Sequence, residues 1–292
     1  MTVLGIDIGG TRIKYGVVKD GILLSHGDCE TPRAGYQEVL STVGEIITQL
    51  RREHPEAERI GLAVPGVIDV DAGIVRYSNN LGWHNVPIRD DLTRITGLPV
   101  RAANDAHCAT LGETVRGAGK GFNRVAMLTL GTGVGGGFVR DGKLETDPYG
   151  AMAYIFGHSA IAVGGRACNC GRAGCLETYA SASALKAGMR AANIPGDGAK
   201  ELFDLYRQGD PKAKQLVENF LADLNAGAVN VANILRPQIL IIGGGVAGAS
   251  DVILPCVRQA LEKEVYGYEF APVLAVPAML GNTAGILGAA EL

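Results

Sequence analysis

One short stretch holds the makings of a metal site. In HSAIAVGGRACNCGRAGCLE, residues 158–177, a histidine is followed by three of the chain's six cysteines, and a glutamate closes the segment. Deprotonated thiolates plus one imidazole form a four-ligand Cys₃His set of the tetrahedral kind that zinc prefers. The candidate ligands are His158, Cys168, Cys170 and Cys175, and Gly171 and Gly174 free the backbone to wrap an ion. With no coordination position left open, the metal is expected to be structural Zn²⁺ rather than hydrolytic. Disulfides are the weaker reading, because Cys168 and Cys170 are too close in sequence to pair easily and a reducing compartment keeps thiols free. Ordinary buried thiols are the other alternative, but these do not usually crowd into a glycine-rich loop; Cys29, Cys108 and Cys256 receive that assignment.

Glycine supplies the second chemical signal. The 42 glycines cluster in GIDIGGT, LGTGVGGGF, GGRACNCGRAGC, IIGGGVAG and LGNTAGILGAA. Such clusters let backbone amides approach a ligand closely, and several of them suggest one large, phosphate-rich ligand. Gly131, Gly133 and Gly136 have the G-x-G-x-x-G spacing, but a dinucleotide fold needs a helix directly after the turn, and a strand pattern follows here. A Walker loop fails because no Lys-Ser or Lys-Thr follows at the required spacing. Tight hairpins alone would explain one such loop. Two loops, with Asp7 ahead of the first and a third cluster at Gly243 to Gly245, favour a nucleotide clamped between two domains. Asn104 and Asp105, in AAND, end a strand and precede a helix; out of context they read equally as a turn and helix cap.

The elements that position these residues follow from periodicity. VLGIDI, RIKYGVV and ILLSHG read as three strands, with Asp20-Gly21 as a hairpin turn. YQEVLSTVGEIITQLRREH places Val39, Leu40, Val43, Ile46, Ile47 and Leu50 on one helical face. RIGLAVPGVID reads as one further strand and LPVRAAND as another, with a short helix from Ala106 to about Arg116. At RVAMLTLGTGVGGGFVRDGKLE the opening pattern returns with Asp141-Gly142 as its hairpin, an internal duplication. Long helices follow, including KQLVENFLADLNAGAVNVANIL, then a buried strand at QILIIGGG, a helix from about Ser250, a strand at PVLAVPA and a last helix after Asn282. The expected division is a smaller N-terminal domain, 1–117 with the helix 282–292, and a larger one, 118–281, carrying the cysteine loop.

Composition excludes other classes. A length of 292 residues, 47% hydrophobic and 20% charged, fits a soluble two-domain protein. A net charge of −3 without a basic block leaves nucleic acid no electrostatic footprint. No run is long enough to span a bilayer, and the opening lacks the charged region of a signal peptide, so a cytoplasmic location and no membrane partner are expected.

DIGGTRIKYGVV, AVPGVID, ANDAHCATLGE, LTLGTGVGGGFVRDGKL, the His-Cys-Cys-Cys loop and IIGGGV, in that order along the chain, together resemble the ROK family of repressors, open reading frames and sugar kinases. The resemblance implies an α/β, two-domain, actin-like fold of the hexokinase type (ribonuclease H-like) with duplicated mixed β-sheets. It also implies an ATP-dependent sugar kinase similar to bacterial glucokinases and N-acetylmannosamine kinases, with a small hexose as substrate and a homodimer as assembly. By position, Asp7 would organise Mg²⁺ near the phosphates of ATP. Gly9, Gly10, Thr11 and Arg12 would meet the phosphates, Arg12 standing where the family usually has Lys. Thr132, Gly133, Gly135 and Gly136 would do the same from the second domain, and Gly243, Gly244 and Gly245 would lie by the adenosine. Asp105 matches the catalytic base and Asn104 a sugar-hydroxyl ligand, while the Gly66 backbone, His158 and Glu177 match positions that contact the sugar.

In one place the chain departs from that pattern. The family's zinc-ligand histidine normally follows Ala-Gly-Glu-x-Gly, whose Glu accepts hydrogen bonds from the C2–C3 side of the sugar. Here Tyr154 takes a Gly position and Ile155 the Glu position. The expectation is low glucose affinity or a preference for a hexose altered at C2 or C3, such as N-acetylmannosamine, whose kinases in the family also lack this Glu. The rival functions are a sugar-sensing regulator of the same family, which would carry a helix-turn-helix ahead of the first phosphate loop, and a sugar-binding protein with weakened catalysis. The position of that loop at residue 7 and the retained Asp7 and Asp105 argue for the kinase.

Overall fold

The computed structural model describes residues 1–147 and 153–292, which group into two compact units: Met1–Gly121 with Gly142–Ala153 and Asn282–Leu292, and Phe122–Asp141 with Tyr154–Gly281. The hairpin tip Gly142–Ala153 thus groups with the first unit.

In the first unit, β1 (Thr2–Ile8), β2 (Arg12–Lys19) and β3 (Ile22–Glu30) form an antiparallel meander. Helix α1 (Tyr36–Glu53) follows, burying Val39, Leu40, Val43, Ile47 and Leu50 on one face as its periodicity predicts. RIGLAVPGVID is two strands rather than one. β4 (Ala57–Val64) joins the main sheet, whereas β5 (Val67–Asp69) belongs to a separate three-stranded sheet with β6 (Ile74–Ser78) and β7 (Trp83–Val86). The break falls at Pro65-Gly66, where Gly66 has φ +118° and a Cβ would lie 2.2 Å from the Tyr77 carbonyl oxygen. Only glycine turns the chain there. Helix α2 (Ile88–Thr96), β8 (Val100–Asn104) and α3 (Asp105–Arg116) complete this part, giving the strand order β3-β2-β1-β4-β8.

The second unit repeats the plan. β9 (Arg124–Leu130) and β10 (Val134–Arg140) form the hairpin; beyond the Asp141-Gly142 turn, the two-residue β11 (Lys143–Leu144) lies in the segment that groups with the first unit. After α4 (Glu177–Ala180), α5 (Ala182–Ala191), α6 (Ala199–Arg207) and the long α7 (Pro211–Leu235) come β12 (Ile239–Gly243), α8 (Ser250–Glu264) and β13 (Leu274–Pro277). The strands run β10-β9-β12-β13, with β9 antiparallel to β10 and parallel to β12, the same order and sense as β2-β1-β4-β8. A core around Phe138, Phe203 and Phe220 holds this sheet to its helices.

Helix α9 (Ala284–Glu291) lies against β1, β4 and α3 of the first unit. The approach is backbone to backbone: a Cβ at Gly61 would fall 1.8 Å from the Ala289 carbonyl oxygen, and one at Gly288 would fall 1.7 Å from that of Cys108. β1 is therefore buried on both faces, consistent with its apolar sequence. Among the described residues no helix is long and apolar enough to cross a membrane.

Candidate functional site

In the first unit AAND forms a helix cap. Asn104 is the N-cap of α3: its Oδ1 accepts from the backbone N–H groups of Ala106 (2.9 Å) and His107 (3.2 Å), and its Nδ2 donates to the Gly66 carbonyl oxygen at 3.1 Å. Both ends of the amide are thereby fixed, and β8 is tied to the Gly66 turn. Asp105, half-buried, starts the helix, its Oδ1 accepting from the Ala106 N–H at 2.9 Å. Burial raises its pKa; backbone N–H groups, Asn104 and Lys14 pull it back only in part.

Asp7 stands at the end of β1, within the field of Asp105. Its carboxylate is 15% exposed, with the Lys14 ammonium 3.7 Å from Oδ2. Desolvation pushes its pKa up to about 6, opposed by Lys14 and reinforced by the charge of Asp105. The buried Cys108 thiol is raised by its burial and then by the charges of Asp7 and Asp105. The Gly9–Thr11 loop is braced by Thr31, whose hydroxyl donates to the Gly9 carbonyl oxygen at 2.7 Å and whose N–H donates to that of Thr11 at 2.9 Å. Gly10 and Thr11 are exposed beyond that brace, while the Arg12 guanidinium pairs with Asp28.

A carboxylate whose pKa is raised costs stability wherever it is ionised. The folded chain holds the Asp7 proton up to about pH 6 and the unfolded chain only to about 3.8, so stability falls as pH rises between the two values. Asp7→Asn removes that cost. It is expected to stabilise the fold by about 3 kcal/mol at pH 8 relative to the parent, with the gain shrinking as pH drops below 6. Urea unfolding of both proteins at pH 8 and pH 4.5 measures it; an equal or lower stability of the variant at pH 8 would contradict this account of Asp7.

The second unit gathers three assigned segments. The Gly131 N–H donates to the Gly133 carbonyl oxygen at 2.9 Å, making a tight turn around Thr132. Glu177, at the start of α4, reaches this loop: its Oε2 accepts from the Val134 N–H at 3.1 Å and lies 2.0 Å from where a Cβ on Gly133 would be. Gly135 and Gly136 are strand residues of β10, paired with Thr129 and Leu128, and Gly136 makes room for the Phe156 ring. Gly243 ends β12, Gly244 packs against the Leu130 backbone at the base of the Gly131–Gly133 turn, and Gly245 opens a 3₁₀ turn.

The cysteine loop folds as its glycines require, with Gly171 and Gly174 at φ +85° and +81°. The ligand atoms of His158, Cys168, Cys170 and Cys175 all lie within 4.8 Å of one another. The contacts are Cys168 Sγ to His158 Nδ1 at 3.6 Å and Cys170 Sγ to Cys175 Sγ at 3.7 Å. Tetrahedral bonds of about 2.3 Å to sulfur and 2.0 Å to nitrogen would set these separations at ~3.5 Å and ~3.8 Å. The donor set fits zinc, with Nδ1 as the imidazole ligand. Desolvation and the neighbouring thiols push the Cys175 pKa up to about 12, a penalty a bound dication would reverse. His158 ends a 3₁₀ turn, Phe156–His158, that follows Tyr154 at φ +61°, and Ile155 is 44% exposed there.

Sequence reasoning missed Lys14, which stands directly across β1–β2 from Asp7. It also missed the β6–β7 turn, where Asn80 lies beside Gly10 and Ser78 beside Gly66. A third omission is His107, buried on α3 with its Nε2 2.9 Å from the Ala153 carbonyl oxygen.

Comparison with known proteins bears on the family and the fold. The chain matches the ROK family over residues 3–292. It is 36% identical to a glucokinase of Thermotoga maritima over 100% of this chain and 97% of the relative. A ROK hexokinase from Thermus thermophilus superposes with a TM-score of 0.86 at 37% identity, covering 100% of this chain and 97% of the other. A ROK family glucokinase from Streptomyces griseus, in complex with glucose and AMPPNP, gives 0.86 at 32% identity over 100% and 98%. The repeated mixed sheets are thus those of an actin-like fold, and the chain belongs to the ROK family.

Proposed function

We propose that this chain transfers the γ-phosphoryl group of ATP to a hexose hydroxyl, the 6-hydroxyl of glucose or of a related aldohexose, with Asp105 as general base. The observation that carries the reading is Asp105 itself, a half-buried residue whose carboxyl pKa is raised by burial, at the start of α3 with Asp7 in its field, on a chain that aligns end to end with glucokinases. Phosphoryl transfer asks the protein for alignment, charge neutralisation and a place for the hydroxyl proton. Asp105 supplies the last: ionised, it accepts the proton as the oxygen–phosphorus bond forms, and its raised pKa makes it a better base than an ordinary carboxylate. Asn104, locked by its cap, and the Gly66 backbone hold sugar hydroxyls on the Asp105 side. His158 and Glu177, which belong to the second unit, are the other residues assigned to sugar hydroxyls, and zinc on Nδ1 of His158 would leave Nε2 free to donate. The Gly10–Thr11 and Thr132–Gly133 turns would present backbone N–H groups to phosphate, the Gly9 N–H being taken by the Arg12 carbonyl oxygen at 2.9 Å. Bound Mg²⁺ would neutralise phosphate charge, and Asp7 is the carboxylate suited to organise it.

The exposed Ile155 favours a second reading of the sugar. An apolar side chain accepts no hydrogen bond, and leaving a buried hydroxyl unpaired costs about 1–3 kcal/mol, a tenfold to hundredfold penalty. Glucose is therefore expected to be used with low affinity, or a hexose altered at C2 or C3, including N-acetylmannosamine, to be preferred. The test is kcat/KM over glucose, mannose, N-acetylglucosamine and N-acetylmannosamine for the parent and for Ile155→Glu. The substitution is expected to raise kcat/KM for glucose at least tenfold. A low micromolar glucose KM in the parent, unchanged by the substitution, would refute this account of the pocket.

A further inference from the structure

Asp7 is held by two residues that no motif singles out. β1 and β2 pair antiparallel with Asp7 directly opposite Lys14, and Lys14 is in turn opposite Asp28 on β3. Side chains of directly opposed residues share one face of the sheet. The Lys14 ammonium reaches Oδ2 of Asp7 at 3.7 Å and is itself 32% exposed. Asp28 is already paired with Arg12, so the ion pair the structure gives Lys14 is the one to Asp7. The same carboxylate oxygen meets the first turn of α9. A Cβ on Gly285 would stand 2.6 Å from Oδ2 and 2.8 Å from Cγ, and its three nearest neighbours would all be atoms of Asp7. Oδ2 is therefore pinned by a cation from β2 and by bare backbone from α9.

We propose that Lys14 and Gly285 are positioning residues for Asp7, fixing Oδ2 from two sides so that the carboxylate offers Oδ1 alone, in one orientation, to the metal–nucleotide complex. Lys14 does this by charge-assisted attraction and Gly285 by the absence of a side chain. A carboxylate free to rotate would present either oxygen, and that ordering would then have to be supplied when the nucleotide binds. Any Cβ at 285 displaces the carboxylate, because backbone on the α9 side cannot yield and the Asp7 side chain can. The inference rests on the nucleotide role given to Asp7 above.

Lys14→Met, Lys14→Arg and Gly285→Ala test it from opposite sides of the carboxylate. Binding of Mg²⁺·AMPPNP and, separately, of the preferred hexose is measured by calorimetry, with the two KM values alongside. Lys14→Met and Gly285→Ala are each expected to weaken Mg²⁺·AMPPNP binding about tenfold or more, the scale of losing one partly buried ion pair or of displacing the carboxylate it holds. Hexose affinity is expected to stay within twofold, and Lys14→Arg to recover most of the nucleotide affinity. Purely structural damage would move both ligands together and would overturn the proposal, as would parental nucleotide affinity in Lys14→Met. If Gly285→Ala does not fold, Lys14→Met and its arginine rescue decide. A parent protein that binds no Mg²⁺·AMPPNP would sink the kinase reading itself, whereas a parent that binds it with unaffected variants would sink the positioning role alone.

Discussion

Asp105→Asn is expected to cut turnover by about 10²–10⁴-fold while hexose binding is largely kept, the contribution of a positioned general base. The substitution is nearly isosteric. An amide oxygen at 105 can still accept from the Ala106 N–H that Asp105 Oδ1 now engages at 2.9 Å, and the Asn104 cap is untouched. What disappears is the proton acceptor. The stability control also has a definite sign: burial raises the Asp105 pKa, so its ionised form is the costly one and the neutral amide is expected to unfold no more easily than the parent near neutral pH. The pH profile separates the roles further. A base works when deprotonated, so kcat/KM of the parent falls as pH drops through the raised Asp105 pKa, and this acid limb is expected to be lost in the variant. Near-parental turnover in Asp105→Asn would remove it from the role of base.

Removal of the metal is the second large effect. One zinc per chain is expected from elemental analysis of protein prepared in metal-free buffer, and Cys170→Ser is expected to lose metal and stability together. Structural zinc binding contributes about 10–16 kcal/mol in small domains, and here part of that would stabilise one loop of a larger unit. Cys170 is the exposed ligand, 3.7 Å from the buried Cys175, so the replacement disturbs packing little and tests coordination. His158 and Glu177 flank the loop, so hexose KM is expected to rise more than ATP KM. Cys256→Ser, at a thiol outside the cluster, is the control and is expected to change neither zinc content nor kinetics. Well-folded protein with far less than one zinc per chain would contradict the site.

Much of this architecture is legible in local pattern. Strands β1 to β3, the β9–β10 hairpin and α1 follow from alternation, glycine turns, the Asp-Gly turns at positive φ that end β2 and β10, and a 3.6-residue apolar stripe, all local forces. The Cys₃His cluster is equally readable, because ligand type and glycine spacing lie within one stretch. The β5–β6–β7 sheet was not. Its strands are three to five residues long, and β5 reads as a continuation of β4 until Pro65-Gly66 turns the chain. Lys14 escaped for another reason: its meaning depends on the register that sets it opposite Asp7. Gly285 is further away still, since α9 meets Asp7 only after 277 intervening residues have folded around it. Features carried by register and by long-range backbone approach lie beyond periodicity.

The most direct test of the central claim is ³¹P NMR of the protein incubated with ATP, Mg²⁺ and each hexose in turn. A phosphomonoester resonance is expected to grow with at least one sugar, with one ADP formed per sugar phosphate, and to be absent when the sugar is omitted or Asp105→Asn is used. ATP left unchanged with every hexose, or hydrolysed to ADP and inorganic phosphate without any sugar phosphate, would contradict the assignment of this chain as a hexose kinase.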